Sequence, residues 1–419
     1  MYSYHPAGAV VTKQVQFTLC GQGGDNSGCS TGYAEADYTY NSAGQVASYG
    51  TQSSTPGTYT GSPSPETIYS YRYDGMGRPL SLTDNVTVDI SGQSVPWAQG
   101  AQYDFAGWMV GLQTAGTWDN GYVVYTTEAR TYNVNGQLTQ QSWSSAYPGF
   151  NGGKQYVYAA GANNGQISQM VDATSGENVS YQYDALERLI SASGSPRTGS
   201  TPAAWSENFQ YDGFGNLTAK VLNGTTTSIP VTAATNRLAN ATYDANGNMT
   251  SGAGATLTYD SMNRVVAATE FSGGTEYYGY APDNKRIMRL ATNGTMEITL
   301  YGALGEKLQV YNAYLMDDTQ NGVWAIVNPV RTSVWFAGKL VSENGLAVNQ
   351  DRLGTNRAGG RHYPYGEGIG TGGVPTTAGS NTVAFATYTR DSWTGLDYAD
   401  QRFYASSYGR YATVDPTRY

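Results

Sequence analysis

This chain of 419 residues is short of charge: Asp, Glu, Lys and Arg together make up 13% of it, about half the share of an ordinary globular domain. The charges that occur sum to −9, with a pI near 4.8. Nucleic-acid binding needs a basic stripe, and here the cations are scattered, so nucleic acid is excluded as a partner. Histidine is rarer still, with His5 and His362 alone. Neither stands beside a Ser or Cys that an imidazole could activate, and His362 reads as a turn residue, packed or exposed. Cysteine is limited to Cys20 and Cys29. Without nearby histidines these two cannot complete a zinc site. In an oxidising compartment they can close the Gly-rich loop between them as a disulfide; unpaired loop thiols are the alternative. Asp317 and Asp318 match a cation site only loosely, so no metal and no cofactor is expected. No apolar run reaches the length of a membrane-spanning helix, no signal peptide opens the sequence, and no stretch sustains a helical apolar period.

What the chain has is glycine and tyrosine, 53 and 36 residues respectively, and one phrase repeated. The phrase is Tyr-[Asp/Asn]-x-x-Gly-x-apolar. It occurs as YHPAGAV at Tyr4, YNSAGQV at Tyr40, YDGMGRPL at Tyr73-Asp74 with Gly77, and YDFAGWMV at Tyr103-Asp104 with Gly107. It continues as YNVNGQL at Tyr132, YDALERLI at Tyr183-Asp184, YDGFGNL at Tyr211-Asp212 with Gly215, and YDANGNM at Tyr243-Asp244 with Gly247. YDSMNRV at Tyr259-Asp260 and a worn YAPDNKRI at Tyr280 follow, the spacings running from roughly 16 to 50 residues.

Each copy has a physical reading. The tyrosine ends an alternating run, as in Tyr69-Ser70-Tyr71-Arg72-Tyr73, and alternation is the period of a half-buried strand. The Asp or Asn bonds the backbone two residues on, and the Gly supplies the positive φ that closes the turn. An apolar residue starts the return strand. Each copy is therefore a β-hairpin with a four- to five-residue turn; Glu187-Arg188, where the Gly is missing, is a turn variant. A single hairpin cannot bury its apolar face, but stacked hairpins can. The expected fold is all-β, with YD-repeat hairpins stacked into a continuous curved or spiral wall over residues 1–300. A propeller keeps a tighter period than this.

After about residue 300 the phrase fades and different elements appear in order. These are Asp351-Arg352-Leu353-Gly354-Thr355-Asn356-Arg357 and then Tyr363-Pro364-Tyr365-Gly366-Glu367. Next come Asp391, Thr394-Gly395-Leu396-Asp397-Tyr398, Arg402, Tyr404, Gly409-Arg410-Tyr411 and Asp415-Pro416. With the repeats before them, these elements resemble the Rhs/YD-repeat family and its C-terminal repeat-associated core. Residues 301–419 are on this basis expected to be that core, a plug at one end of the wall. Its aromatics Trp335, Phe336, Tyr365, Trp393, Tyr398, Phe403 and Tyr404 are expected to order it, and Arg357 and Glu367 are candidates to pair there. Phe385-Ala386-Thr387 stands where the family has Phe-Thr-Gly, and Thr355 where it has Ser.

The resemblance implies a hollow shell that encloses or presents a toxic C-terminal effector absent from this chain. It also implies secretion or display at a bacterial cell surface. Self-cleavage in the family uses paired aspartates; Asp415 matches one member, the second is missing from this sequence, and a turn aspartate before proline is the plainer reading. At most a single self-cleavage in a longer precursor is expected, not enzymatic turnover. Two other functional classes stay open: an extracellular adhesive scaffold or filament built from copies of the chain, and a glycan-binding module using Tyr faces and Asn/Asp turns. Met1 already lies in a repeat copy, so the numbering is expected to begin within a longer wall, or export to proceed without a cleaved signal. The outer strand edges are expected to be covered by further polypeptide or by another copy.

Overall fold

The computed structural model describes residues 1–415 except 6–7, 21–28, 55–66, 89–91, 118–121, 160, 162, 201, 272, 319–321, 357–359, 371–373 and 378–380, with backbone alone at 54, 117, 148, 316–318 and 322–326. The fold is all-β: among the described residues the helical content is one short turn at Pro148–Phe150, and no helix is long and apolar enough to cross a membrane. The chain forms two compact units, one of residues 1–127 and 276–348, the other of residues 128–275 and 349–419.

In the first unit, consecutive antiparallel strands run Val10–Cys20, Cys29–Tyr40, Val46–Ser54, Thr67–Tyr73, Pro79–Val88, Ser94–Tyr103 and Met109–Thr117. Alternation sets their faces. Along Cys29–Tyr40 the buried positions are Gly32, Ala34, Ala36 and Tyr38, with partly exposed residues between them. Tyr38, Tyr49 and Tyr69 sit opposite one another in register, their rings stacked at 6.1 and 4.8 Å between centroids, a cross-strand arrangement that stabilises the sheet beyond simple burial. Cys20 and Cys29 face each other at the end of the first hairpin and are joined as a disulfide. A second succession, Arg286–Leu290, Met296–Tyr301, Lys307–Asp318, Gly322–Phe336 and Lys339–Glu343, packs onto the first. Leu82, Ala98 and Leu112 join Ile298, Leu300, Val334, Phe336 and Val341 in one core. Gly116 lets the layers touch: a Cβ there would strike the backbone nitrogen of Ala347.

The second unit repeats the scheme with Leu138–Ser144, Gly152–Tyr158, Ile167–Asp172, Glu177–Tyr183, Leu189–Pro196, Trp205–Tyr211 and Leu217–Leu222. Trp205, Glu207 and Phe209 point inward, Ser206, Asn208 and Gln210 outward. Trp205 lies flat over its cross-strand partner Gly194, where any side chain would run into the indole. Two of the inward carboxylates accept from indoles: Trp143 Nε1 donates to Glu128 Oε2 at 3.0 Å and Trp205 Nε1 to Glu177 Oε2 at 3.2 Å. Such pairing keeps buried charge from becoming prohibitive. A four-stranded sheet of Thr389–Arg390, Asp397–Ala399, Arg402–Ala405 and Arg410–Tyr411 closes the described chain.

Candidate functional site

The repeated turn is built the same way in each clear copy. At Asp74 the backbone N–H donates to Arg78 O at 2.9 Å and Gly77 N–H to Asp74 O at 3.0 Å. The Asp74 carboxylate accepts from the N–H groups of Met76 and Arg78, both at 2.9 Å, and from Arg78 Nε at 2.7 Å. The backbone N–H of Arg78, then its guanidinium, hold the Asp74 carboxyl below its ordinary range. Asp184, Asp212 and Asp260 accept from the residues two and four positions on in the same pattern, as does Asp104; Asp244 accepts from Asn248. Gly77, Gly107, Gly215 and Gly247 carry φ of 79°, 85°, 84° and 90°, the left-handed region glycine enters without strain. In the variant copy Glu187 occupies that position at φ 64°, where a Cβ is unfavourable.

The motif tyrosine does a second job. Each sits at a bulge: Tyr73 pairs with Pro79 while Arg72 pairs with Ser81, and Tyr40, Tyr183, Tyr211 and Tyr259 show the same slip. From there its hydroxyl donates to the carbonyl that starts the return strand of an earlier hairpin. Tyr40 reaches Val10 O at 2.6 Å, Tyr73 reaches Val46 O at 2.7 Å, and Tyr103 reaches Pro79 O at 2.7 Å. In the second unit Tyr183 reaches Ile167 O at 3.1 Å, Tyr211 reaches Leu189 O at 2.7 Å and Tyr259 reaches Met249 O at 2.7 Å. Tyr243 instead accepts from Leu238 N–H at 3.1 Å. Neighbouring tips are tied as well: Arg188 lies over the Tyr211 ring at 4.8 Å and donates to Asp212 O at 3.1 Å. The phrase thus encodes a turn and a latch to a preceding hairpin.

The C-terminal elements reuse the turn. Asp351 N–H donates to Thr355 O and Gly354 N–H to Asp351 O, each at 3.0 Å, and Gly354 has φ 80°. Tyr363 N–H donates to Glu367 O and Gly366 N–H to Tyr363 O, each at 2.8 Å; Pro364 lies in this turn. Here, however, the side chains reach far along the chain. Asp351 takes Lys154 Nζ at 3.0 Å, and Glu367 takes Lys220 Nζ at 2.6 Å. Lys220 is a described partner of Glu367; Arg357, the partner expected from the sequence, and Pro416 lie outside the described residues. Arg390 is bidentate on Asp397 at 2.8 and 2.6 Å and donates to Gly366 O at 2.7 Å. Tyr404 donates to Tyr365 O at 3.0 Å, and the Tyr211 and Tyr365 hydroxyls bond at 2.6 Å. Arg410 reaches Asn216 Oδ1 at 2.8 Å and Asn236 O at 2.9 Å. Leu396, Tyr398 and Phe403 are buried, Gly395 sits against Thr377 and Gly409 against the Tyr365 ring. Trp393 is only partly buried, and Trp335 and Phe336 belong to the first unit.

Asp415 lies 3.7 Å from Arg402, which also stacks on Tyr411 at 3.9 Å. His362 is packed beside Phe385 at 5.5 Å, and burial, with Arg390 adding to it, pushes its pKa down to about 4. The side chains of Asp317 and Asp318 are outside those described. Among the described residues no group of three His, Cys, Asp or Glu could hold a metal. Sequence reading missed Lys154, Glu177 and Lys220, the charges that anchor the core turns. Their signal was available: each is a charge at an inward position of an alternating strand.

No family model and no curated protein matches the sequence. Solved structures do match in fold. A crystal structure of TcdB2-TccC3 aligns with 99% of this chain at 16% identity and a TM-score of 0.66, and one of TcdB2-TccC3-Cdc42 aligns with 99% at 15% and 0.65. A Tc holotoxin pore from Photorhabdus luminescens carrying a TccC3 point mutation aligns with 98% at 16% and 0.52. This chain spans 22–24% of the chains it resembles. At such identity the likeness is one of fold.

Proposed function

We propose that the chain is a length of shell wall from a secreted Rhs-type toxin protein, its hairpins enclosing or presenting a C-terminal effector that this chain does not contain. The observation that carries this reading is the tyrosine latch. In six copies, at Tyr40, Tyr73, Tyr103, Tyr183, Tyr211 and Tyr259, the hydroxyl bonds the backbone of an earlier hairpin, so the repeat is written for continuous stacking and not for independent modules. The fold likeness to TcdB2-TccC3 over 99% of the chain supports it. A wall of paired strands with tied tips offers few loose edges to proteases, which suits a container. In this reading residues 1–300 are wall and 301–419 are the core that caps it.

The test uses the whole polypeptide that carries this chain, as the cell makes it. Proteinase K digestion of the native protein, followed by mass spectrometry, should leave the wall and any segment after Tyr419 intact together. Opening the wall with denaturant should then expose that segment first. Immediate loss of the segment from an undenatured wall, or a polypeptide with no such segment, overturns the effector reading and favours a scaffold.

A further inference from the structure

In the second unit, Lys220 is buried beside two carboxyl groups. Its Nζ stands 2.6 Å from Glu367 Oε2, and the two side chains are 6% and 11% exposed. Nζ also donates to Ser406 O at 2.8 Å. The other carboxyl belongs to Glu207. Phe209 on Trp205–Tyr211 pairs directly with Lys220 on Leu217–Leu222. Glu207, two residues before Phe209, therefore shares the inner face with that lysine as its diagonal neighbour. Glu207 is 2% exposed, and its Oε2 has no hydrogen-bond partner among the described residues. Burial pushes its pKa up to about 7. Phe209 and Tyr365, ring centroids 5.1 Å apart and edge to face, wall the cluster, with Lys220 Nζ 5.3 Å from the Tyr365 ring. One lysine thus stands among two acids in an apolar surround. Desolvation offsets much of the attraction in such an ion pair, and the unpartnered carboxyl oxygen adds a further cost.

We propose that Lys220 and Glu367 join as an isopeptide bond, with Glu207 carrying the protons, so that the strand Leu217–Leu222 is tied covalently to the turn at Tyr363. The 2.6 Å contact sets Nζ at roughly the 3–3.5 Å from Cδ at which attack begins. The ammonium first passes one proton to the Glu367 carboxylate, leaving an amine and an acid. The Nζ lone pair attacks Glu367 Cδ while the Glu207 carboxyl protonates the carbonyl oxygen. Glu207 then takes a proton from Nζ and gives one to a departing hydroxyl, and the last hydroxyl proton returns to it. One C–N bond forms, one C–O bond breaks, one water leaves and Glu207 ends as it began. Two buried charges disappear, and Glu207 gains an amide carbonyl to donate to. Lys154 supplies the contrast. It stands 3.0 Å from Asp351 and 3.5 Å from Asp172, but both carboxylates also accept from backbone N–H groups, of Leu353 and Thr355 and of Thr174 and Ser175. Those donors favour the ionised form, so no neutral acid stands ready there and no bond is expected. The inference is independent of the shell reading.

Mass spectrometry of the denatured polypeptide carrying this chain, after reduction of the Cys20–Cys29 disulfide, tests it. The intact mass should be one water below that of the sequence. Trypsin does not cut at an acylated lysine, so the digest should contain residues 198–237 joined to residues 362–390 as one branched peptide. Lys154 and Asp351 should fall on separate peptides. This digest decides the bond without any variant. Glu207→Gln should slow bond formation about a hundredfold by removing the proton carrier, so that freshly made protein has the full mass, with an unchanged circular-dichroism spectrum showing that the fold persists. A wild-type chain of full mass with Lys220 and Glu367 on separate peptides overturns the proposal. So does a missing water found instead as a succinimide at Asp74-Gly75 or Asp212-Gly213, or a branched peptide undiminished in Glu207→Gln.

Discussion

The turn at Asp74 and the turn at Tyr363 have the same backbone and opposite economies of contact. In the repeat copy, the Asp74 carboxylate bonds Met76 and Arg78, two and four residues away. In the core copy, Glu367 bonds Lys220, 147 residues away, and Gly366 O takes Arg390. Local closure makes a repeat copy self-sufficient and replaceable. Distant closure makes a core turn a connector whose loss leaves a buried charge behind. The same contrast separates the tyrosines: Tyr73 latches one neighbouring hairpin, whereas Tyr211 latches its neighbour and also meets Tyr365.

The largest effect should come from Arg390→Ala. It strands the carboxylate of Asp397, whose side chain is 0% exposed, and should cost about 3–5 kcal/mol by urea denaturation; a loss under about 1 kcal/mol would sink the connector view of the core. Gly194→Ala comes next, at about 1–3 kcal/mol, because the new methyl meets the Trp205 indole. Gly75→Ala, at a repeat tip with open space around it, is the matched control and should stay within about 0.5 kcal/mol.

Glu207 sharpens the comparison through pH. Its 2% exposed side chain is pushed up to about 7 by burial, Lys220 opposing and Glu367 adding to the rise. Unfolded, it ionises near 4.5. Between those values the folded chain holds the extra proton, so stability falls as pH rises from 4.5 toward 7 and the loss is complete above 7. We expect about 2 kcal/mol between pH 5 and pH 8 after solvent screening. Glu207→Gln should flatten the slope; the same slope in that variant would assign the effect elsewhere. Among the latches, Tyr73→Phe should cost about 1 kcal/mol, and Tyr211→Phe measurably more; equal costs would mean the Tyr365 contact adds nothing. The smallest effect has the opposite sign. Glu187→Gly relieves the left-handed strain and should stabilise by about 0.5–1 kcal/mol, seen as a rise in Tm.

The repeat was legible because its determinants are local. Asp74 chooses its turn through its own backbone, Gly77 through its own φ, and the alternation of Thr67–Tyr73 through its own pleat. The bulge at each tyrosine and the carbonyl its hydroxyl reaches were not legible, since the acceptor belongs to another hairpin tens of residues away. For the same reason the partners of Glu367 and Asp351 escaped notice. Lys220 and Lys154 sit in ordinary-looking strands, and only their inward facing marks them.

By itself, then, the sequence determined the all-β class, the position of each clear turn and which residues could close it, because φ preference and side-chain reach act within a few residues. Tertiary structure alone decided which lysine met which carboxylate and which glycine had to lie beneath Trp205. Those outcomes depend on which strands become neighbours, and pairing between distant segments is settled by the burial of the whole face, not by any one phrase within it.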